Sequence, residues 1–426
     1  MNKQRTVFKR VEIQANAPNI SGDGGLLVLK KVDERHRFMD RMAACLSDAR
    51  TGGVLHTVRK MLAQRVYGIA MGWEDCNDSD ALRRDPLYSL ALGSIPATQP
   101  TLSRFENAVD SKDLYRMSKA LVEVFVDRHR PRPPRRIVID IDATVDPAHG
   151  QQEFEFFNGF YDCHCYLPLL VFGSCDGGPM EILAAVLRPG NAHSGKRAAA
   201  ILRRLARRLK EAFPKTQVLV RADAGFALPE FYAACEDLGL NYAIATASNK
   251  VLTDAVEPLM VEARRKRDET NAPARLYGEF QYAAATWDEK RRVIVKAEAL
   301  PGKDNARFVV TNLKGDPETL YGIYCHRGES ENRIKEMKLE LASGRTSCHR
   351  FAANAFRLLL HALAFALLSM VRDHLIQTEL VKCTLGQIRL KLLKIAAIVE
   401  QSTRRFLIRL PRGHPHVDLL MKILAN

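Results

Sequence analysis

The sequence predicts an α/β protein in which a strand-rich central part lies between mainly helical ends. Three observations predict this class. Residues 1–129 have a mainly helical pattern, and the proline-rich segment RPRPP at 130–134 cannot continue a helix. Residues 135–247 then alternate β-branched strand patterns with two helical patterns. A chain of 426 residues is too long for one ordinary core, so we expect two to four structural units.

The N-terminal region, residues 1–129, opens with a segment of strand character at 6–14 and continues with helices. One of them, TLSRFENA at 101–108, follows a proline-containing turn. Ser103 precedes Glu106 by three residues, which is the spacing of a capping box at a helix N-terminus. This helix is either a DNA-binding helix that enters a major groove or an ordinary surface helix, and the residues leave both open. The candidate DNA contacts are Thr101, Ser103 and Arg104.

After the prolines, the predicted order is three strands, a helix, a strand, a helix and a strand. This is the ribonuclease H-like order, so we expect a ribonuclease H-like catalytic core whose first part spans residues 130–247. The predicted elements are strands at 135–146, 165–178 and 180–190, a helix at 195–213, a strand at 216–226, a helix at 229–239 and a strand at 241–247.

Three further segments complete the predicted organisation. Residues 248–315 are a β-rich insertion, which begins with a polar, basic stretch. Residues 316–375 are the second part of the core and include an apolar run at 358–371, which is shorter than a membrane span and reads as a buried core helix. Residues 376–426 are a basic C-terminal region. The predicted elements are insertion strands at 275–287, 291–300 and 306–313, and in the C-terminal region a helix at 384–400, a strand at 404–410 and a last short helix.

The charge of the chain indicates a polyanionic partner. The formal net charge is +15 and the pI is near 9.4. Arginines recur in separate clusters, which suits a long phosphate track better than one anchoring patch. The first ten residues lack the apolar segment of a signal peptide, and nine dispersed cysteines are typical of a reducing cytosol, so we expect a cytoplasmic protein. The clusters lie at 128–136, 202–210, 264–267 and 404–405.

Acidic residues occupy the ends of two predicted core strands. Asp142 ends the first strand, and Asp223 ends the strand after the first helix. These strands are neighbours in the ribonuclease H-like order, so the two carboxylates would meet, and a helix packed on the sheet would bring Glu331 there. Asp140 shares the face of Asp142 and competes for its role. Three converging carboxylates need a cation such as Mg²⁺ or Mn²⁺, which can activate a hydroxyl for attack on a phosphodiester.

The stretch YCHRGESENRIKEMK at 324–338 carries Tyr324, Arg327, Glu331 and Lys338 at offsets 0, 3, 7 and 14. In one continuous helix, these offsets fall within roughly 60° of one another. The stripe is either a solvated ladder, in which Glu331 pairs with Lys335, or a metal-binding carboxylate flanked by phosphate-binding side chains.

The spacing Tyr-x2-Arg-x3-Glu-x6-Lys also matches the Y-R-E-K signature, and the chain therefore resembles the insertion sequence 4 superfamily of DDE transposases. Four other segments resemble the insertion sequence 1380 family within it, and the resemblance runs from the N-terminal region to about residue 372. These segments are TQPTLSRFEN (98–107), DIDAT (140–144), RADAGF (221–226) and RFVVTNL (307–313).

The resemblance implies a transposase that binds the terminal inverted repeats of its element and cuts and joins DNA with Mg²⁺, for which Mn²⁺ can substitute. It implies Asp142, Asp223 and Glu331 as the catalytic and metal-binding triad, because Glu329 does not satisfy the spacing. It also implies double-stranded DNA as the partner, both element ends and target, and a homodimer in the synaptic complex. Tyr324, Arg327 and Lys338 would then be DNA-binding residues.

Trp287 lies in the β-rich insertion, beside the cationic run WDEKRR. It is either a packing residue of a small sheet or a platform on which an unstacked DNA base lies. Two other functions remain open from the sequence. One is a ribonuclease H-like nuclease without strand transfer, and the other is a non-catalytic DNA-binding repressor derived from a transposase.

Overall fold

The computed structural model describes residues 19–195 and 197–425, so the strand predicted at 6–14 lies outside the described residues. The described residues form a mixed α/β fold around one large sheet. The helices are α1 (Leu26–His36), α2 (Phe38–Ala43), α3 (Val58–Met71), α4 (Ser79–Arg84), α5 (Pro86–Leu92), α6 (Gln99–Ala108), α7 (Ser111–His129), α8 (Ala198–Ala212), α9 (Pro229–Asp237), α10 (Lys250–Thr270), α11 (Pro317–Cys325), α12 (Gly328–Lys335), α13 (Phe351–Asp373), α14 (Leu385–Ile388) and α15 (Val417–Ala425). The strands are β1 (Ile20–Ser21), β2 (Arg136–Ala143), β3 (Asp146–Pro147), β4 (Phe156–Asn158), β5 (Cys163–Tyr166), β6 (Leu169–Cys175), β7 (Glu181–Val186), β8 (Gln217–Ala222), β9 (Asn241–Thr246), β10 (Ala274–Tyr282), β11 (Arg291–Leu300), β12 (Lys303–Thr311), β13 (Ala397–Gln401) and β14 (Phe406–Arg409).

The large sheet has eight strands in the order β10-β11-β12-β9-β8-β2-β6-β7. Strand β2 lies inside it, paired antiparallel with β6 and parallel with β8. The elements predicted between residues 135 and 247 all form, in the predicted order. The structure adds a small sheet, β3-β5-β4, which the sequence did not predict, between β2 and β6.

Alternation along β2 separates an apolar face from an acidic face. Ile137, Ile139 and Ile141 are buried in a core formed with α8, α9 and α10. Because successive side chains of a strand point to opposite faces, Asp140 and Asp142 lie on the other face. The acidic residues are therefore directed away from that apolar core.

The insertion between β9 and α11 continues the large sheet. Strand β12 pairs antiparallel with β9, with Phe308 opposite Thr246, and β11 and β10 follow it outward. The polar stretch that precedes these strands, for which the sequence predicted no regular element, forms the long helix α10. Asn249 caps that helix by accepting a hydrogen bond from Leu252 N, and its apolar positions recur every three or four residues.

The helices before β2 share one hydrophobic core with α13 and the C-terminal elements. α13 is the one described helix long and apolar enough to cross a membrane, but most of it is buried inside the protein. The prediction of a buried core helix at 358–371 is therefore confirmed. In the C-terminal region the predicted helix at 384–400 is wrong, since α14 and the π-helical turn Arg389–Leu393 end before β13. There β13 pairs with β1, and Ile398 lies opposite Ile20.

A buried ion network ties α6 to α3 and α13. Glu106 accepts hydrogen bonds from Arg65 Nε at 2.6 Å and from Arg357 Nε at 2.7 Å. The predicted capping box of Ser103 and Glu106 is therefore wrong: α6 begins at Gln99, so Ser103 lies inside the helix, and Glu106 is fully buried among cations. Removal of one partner from such a buried network leaves an uncompensated charge.

We predict that His361, which is buried in α13, makes the fold less stable in mild acid. Burial, with the nearby guanidinium of Arg65, lowers the pKa of His361 to about 3. Unfolded histidine binds a proton near pH 6.5, so stability falls as the pH drops below that value while the folded side chain stays neutral. Between pH 7.5 and 5, wild type should lose about 2 kcal/mol more than His361→Leu in urea unfolding. Equal losses in the two proteins would contradict this role.

Candidate active site

Parallel pairing brings Asp142 and Asp223 to the same end of neighbouring strands. In the register of β2 with β8, Ile141 lies opposite Ala222, and each of these two residues is followed in the chain by one of the aspartates. Asp223 caps a short 3₁₀ turn, where its side chain accepts a hydrogen bond from Gly225 N at 2.8 Å. Both carboxylates follow apolar strand residues and lie where the chain leaves the sheet.

Arg327 connects Glu331 to this end of the sheet. It precedes α12, and its guanidinium donates to Asp142 Oδ2 at 2.7 Å and to Glu331 Oε1 at 2.5 Å. Asp142 is nearly buried, whereas the side chain of Glu331 is 48% exposed. One cation therefore bridges two of the three predicted triad residues.

The electrostatics of Asp142 reflect its crowded position. Burial raises the pKa of Asp142 to about 7, and the charges of Asp223 and Glu331 add to the increase, while Arg327 opposes it. Asp142 thus interacts through space with both of the other acidic side chains. A carboxylate in this setting is stabilised by any added cation.

The structure distinguishes Asp142 from its competitor Asp140. Asp140 is fully buried and accepts two hydrogen bonds of 2.7 Å from Arg221, its neighbour on β8. Arg221 also donates to the carbonyl oxygen of Ile323 in α11, at 3.0 Å. Asp140 therefore has a saturated ion pair that ties two strands to a helix. The competing residue for the third position, Glu329, is exposed and pairs with Arg333 at 3.6 Å.

The stretch 324–338 is not the single helix predicted from its periodicity. α11 ends at Cys325 and α12 begins at Gly328, so the helix is interrupted at residues 326–327. Tyr324 lies beside Arg327, and Glu331 pairs with Arg327 rather than with Lys335. Local contacts at helical spacing thus keep three of the four predicted residues together despite the interruption.

Lys338, the fourth residue, contacts the chain just beyond β2. It lies in the π-helical turn Glu336–Glu340, donates to the carbonyl oxygen of Val145, and has its ammonium 3.2 Å from Asp146 Oδ1. Asp146 is buried, and the ammonium of Lys338 is the charge that faces it. Burial raises the pKa of Asp146 to about 6, against the influence of Lys338.

The structure does not place Trp287 at this site. Its ring lies 5.1 Å from that of Tyr232 and 5.4 Å from that of Tyr282, and the guanidinium of Arg291 lies 5.4 Å from its centre. Arg292, near the start of β11, is level with Ala243 of β9, and Asn241 of β9 is level with Leu219 of β8. The loop before β11, which contains Trp287, therefore lies toward the N-terminal end of β8, whereas Asp223 follows its C-terminal end. These contacts favour the packing interpretation, and base stacking by Trp287 stays a prediction.

The candidate DNA contacts of the N-terminal region lie on α6. Arg104 is exposed, and its Nη2 lies 3.4 Å from Thr101 Oγ1, while Ser103 is half-buried one residue away. These three side chains lie on the outer side of α6, whereas Leu102 and Phe105 of the same helix are buried in the core. Their role in DNA binding stays a prediction.

Sequence reasoning missed Tyr161, which lies in the turn between β4 and β5. Burial, followed by the charges of Asp142 and Asp223, raises the pKa of Tyr161, so its hydroxyl is within electrostatic range of both aspartates. The aromatic run FEFFNGFY at 154–161 was the available signal. This run has neither a helical nor a strand periodicity, and only the folded position of the small sheet shows that it lies near the site.

The donor set has the chemistry of a divalent cation site. Within residues 19–195 and 197–425, no group of three His, Cys, Asp or Glu side chains is arranged to hold a metal ion, and Arg327 stands between Asp142 and Glu331. A buried carboxylate with two acidic neighbours nevertheless offers the hard oxygen ligands that Mg²⁺ and Mn²⁺ prefer. The residues present therefore fit such an ion in donor type and charge.

Comparisons with known proteins give a family match and several similar solved structures. A family model described as transposase DDE domain group 1 matches residues 3–426. No curated protein matches the chain. Among solved structures, the chain is similar to the cryo-EM structure of a piggyBac transposase synaptic complex with hairpin DNA, at 11% identity and a TM-score of 0.43 over 83% of this chain and 75% of that one. It is also similar to Mos1 transposase in a paired-end complex with the left transposon end and to the Mos1 mariner paired-end complex with Mn. These match at 12% and 13% identity, each with a TM-score of 0.17, over 46% of this chain and 61% of theirs.

We predict that Asp140 and Asp142 differ in their effect on stability. Asp140→Asn leaves the buried Arg221 without its charge partner and should cost about 3–5 kcal/mol. Asp142→Asn removes a carboxylate crowded by like charges and should cost no more than about 1 kcal/mol. Urea unfolding of both variants measures this difference. Equal losses would show that Asp142, too, serves chiefly to hold the fold.

We predict that Lys338 stabilises the fold through Asp146. Lys338→Ala leaves Asp146 buried without a cation, which raises its folded pKa further above the unfolded value. The stability loss should therefore grow as the pH rises, to about 3 kcal/mol at pH 8, and should shrink toward pH 5, where Asp146 is protonated. The double variant Lys338→Ala/Asp146→Asn should abolish this pH dependence. If it does not, the loss arises from another contact of Lys338.

Proposed function

Because the chain belongs to the family described as transposase DDE domain group 1, we propose that it is a transposase that cuts and joins DNA at the ends of its own insertion sequence. The observation that carries the proposal is the meeting of Asp142 and Asp223 at adjacent strand ends, with Glu331 joined to Asp142 through Arg327. A cut-and-paste reaction would follow binding to the terminal inverted repeats.

The proposal includes a ribonuclease H-like core and membership of the insertion sequence 1380 family. The strand order β7-β6-β2-β8-β9, with β2 parallel to β8 and antiparallel to β6, supports the first. The segments DIDAT and RADAGF, which carry Asp142 and Asp223, support the second.

The three acids Asp142, Asp223 and Glu331 would hold divalent ions, either Mg²⁺ or Mn²⁺. When bound, these ions would supply positive charge that activates a hydroxyl and stabilises the leaving oxygen. Arg327 orients Asp142 and Glu331 and offsets part of their repulsion. The pair of Asp140 and Arg221 keeps β2, β8 and α11 in fixed positions around them. This chain's residues thus supply ligands, their orientation and a rigid support.

DNA binding is proposed from charge and from the position of the cations. The net charge of +15 provides the sequence-independent attraction to phosphates that DNA-binding proteins use. Tyr324 and Arg327 lie at the carboxylates, where they would contact the phosphate next to the cut. Thr101, Ser103 and Arg104 are proposed contacts to the double helix farther from the cut. Two copies would hold two ends in the synaptic complex.

The test uses a plasmid that carries the chain's own gene with the DNA that flanks it on both sides, incubated with Mg²⁺ and a supercoiled target. Wild type should release the element and join it to the target. Asp142→Asn, Asp223→Asn and Glu331→Gln should each lower cleavage by about 100-fold or more, because each removes a ligand charge. All three should still shift the flanking DNA in a gel.

Glu329→Gln is the matched control, since Glu329 is an exposed neighbour on the same helix, and it should cleave like wild type. Cleavage without joining would identify the nuclease alternative. A gel shift without any cleavage by wild type would identify the repressor alternative.

A further inference from the structure

The loop that follows β7 lies at the edge of the large sheet where β2 ends. We call residues 189–195 the clamped loop; it lies between β7 and α8. β6 pairs antiparallel with both β2 and β7, so β2 and β7 run in the same direction and end at the same edge. Gly195, the last residue of the loop, meets Gly225, which follows β8. The clamped loop therefore reaches from β7 to the strand end that carries Asp223.

Arg188, just before the clamped loop, binds three carbonyl oxygens at this edge. Its Nε donates to Leu167 O at 2.8 Å. Its Nη1 donates to Ser194 O at 2.5 Å and to His193 O at 3.4 Å. Leu167 N in turn donates to Arg188 O at 3.0 Å, so main chain and side chain both fix Arg188 to the segment before β6. The buried guanidinium thus ties the far end of the loop to the sheet.

The clamped loop packs on the turn of Asp223 without room for a side chain between them. A Cβ on Gly195 would lie 2.9 Å from Gly225 O, and a Cβ on Gly225 would lie 2.8 Å from the Cβ of Ser194. Both distances are shorter than the 3.0 Å that a real Cβ keeps from other atoms. The Cβ position of Gly225 is also 3.1 Å from Asp223 Oδ1, so Ser194 and Asp223 are neighbours across this glycine.

The same turn sets the direction of the Asp223 carboxylate. Asp223 Oδ1 accepts a hydrogen bond from Gly225 N at 2.8 Å, and Asp223 O accepts one from Phe226 N at 3.1 Å. A shift of Gly225 would therefore move the donor that holds the carboxylate. Loss of a group that orients a metal-binding side chain typically weakens metal binding by about 10–100-fold.

Arg389 forms a comparable clamp in the helical part of the protein. Its guanidinium donates to Ala70 O at 2.8 Å, to Ile69 O at 3.5 Å and to Glu340 O at 2.7 Å. These acceptors lie in α3 and in the π-helical turn Glu336–Glu340, so this clamp joins elements of the helical core. Arg188 differs because one of its acceptors belongs to Ser194, whose side chain lies against the turn of Asp223.

We propose that Arg188 is a positioning residue for Asp223, which it reaches through the clamped loop. The inference rests on the proposed function, in which Asp223 is a metal ligand, and it assigns to the same site a residue outside the acidic triad. Arg188 fixes the backbone of Ser194, and the close approach of the two glycines transmits that position to the turn. It takes no part in the bond changes.

The first test compares Arg188→Met with the matched control Arg389→Met. Hydrogen exchange, measured by mass spectrometry, reports the amides of Gly225 and Phe226, which both donate to Asp223. Their exchange should be about 10-fold faster in Arg188→Met, because the turn loses its support, and unchanged in Arg389→Met. Binding of Mn²⁺, followed by EPR of the free ion, should be about 10-fold weaker in Arg188→Met alone, counting only the binding that Asp223→Asn abolishes. Arg188→Lys, which keeps a cation, should lie between wild type and Arg188→Met.

The second test disturbs the same contact without changing Arg188. Gly225→Ala adds a Cβ that meets Ser194, and it should weaken Mn²⁺ binding by about 10-fold. Ser194→Gly removes the atoms that this Cβ meets, so Ser194→Gly/Gly225→Ala should recover most of the loss. Gly322→Ala in α11 is the matched control, since its Cβ meets no atom of the described residues within 4 Å beyond its own helix. It should bind Mn²⁺ like wild type.

The measurements separate the failure of this inference from that of the proposed function. If Arg188→Met unfolds at lower urea concentration but keeps wild-type exchange and Mn²⁺ binding, Arg188 serves the fold alone and the inference is refuted. Equal losses of Mn²⁺ binding in Gly225→Ala with and without Ser194→Gly would refute it too, and this pair decides if Arg188→Met does not fold. If wild type binds no more Mn²⁺ than Asp223→Asn, the proposed metal site fails, and the exchange still decides on Arg188.

Discussion

The parallel pairing of β2 with β8 is the constraint on which the candidate site depends. Parallel strands run in the same direction, so their carboxyl ends lie at one edge of the sheet, and adjacent strands are about 4.8 Å apart. Asp142 and Asp223 are far apart in the sequence, and they become neighbours only through this pairing. The alternation of isoleucines and aspartates on β2 then directs the acids away from the apolar core.

Each acid on β2 and its continuation has its own cation. Asp140 pairs with Arg221, Asp142 with Arg327, and Asp146 with Lys338. The first pair is buried and saturated, so it holds strands together. In the second pair, Arg327 also contacts Glu331, and Asp223 adds a negative charge near Asp142. Arg327 therefore offsets only part of the negative charge around Asp142. Neighbouring acids of similar appearance thus have different roles.

Several elements show where local pattern and tertiary contacts disagree. The period of residues 324–338 predicts one helix, yet the chain breaks between Cys325 and Gly328, and Arg327 at the break reaches both Asp142 and Glu331. The spacing of Ser103 and Glu106 is that of a capping box, but the buried cations around Glu106 determine its position instead. At Glu106 long-range ion pairs override a local preference, because a charge at a buried position requires a partner there.

The sequence by itself determined the class of fold, the order of the core elements and the acidic residues at two strand ends, because strand alternation and helix period are local properties. It also determined the likeness to a transposase family through motif spacing. Only the tertiary structure decided that Asp140 is held by Arg221, that Lys338 contacts Asp146, and that Trp287 packs at the far end of the sheet. It alone also brought Tyr161 within electrostatic range of Asp142 and Asp223. The reason is physical: strand register and ion pairing join residues that are distant in sequence, and no local pattern records which distant strand a segment will meet.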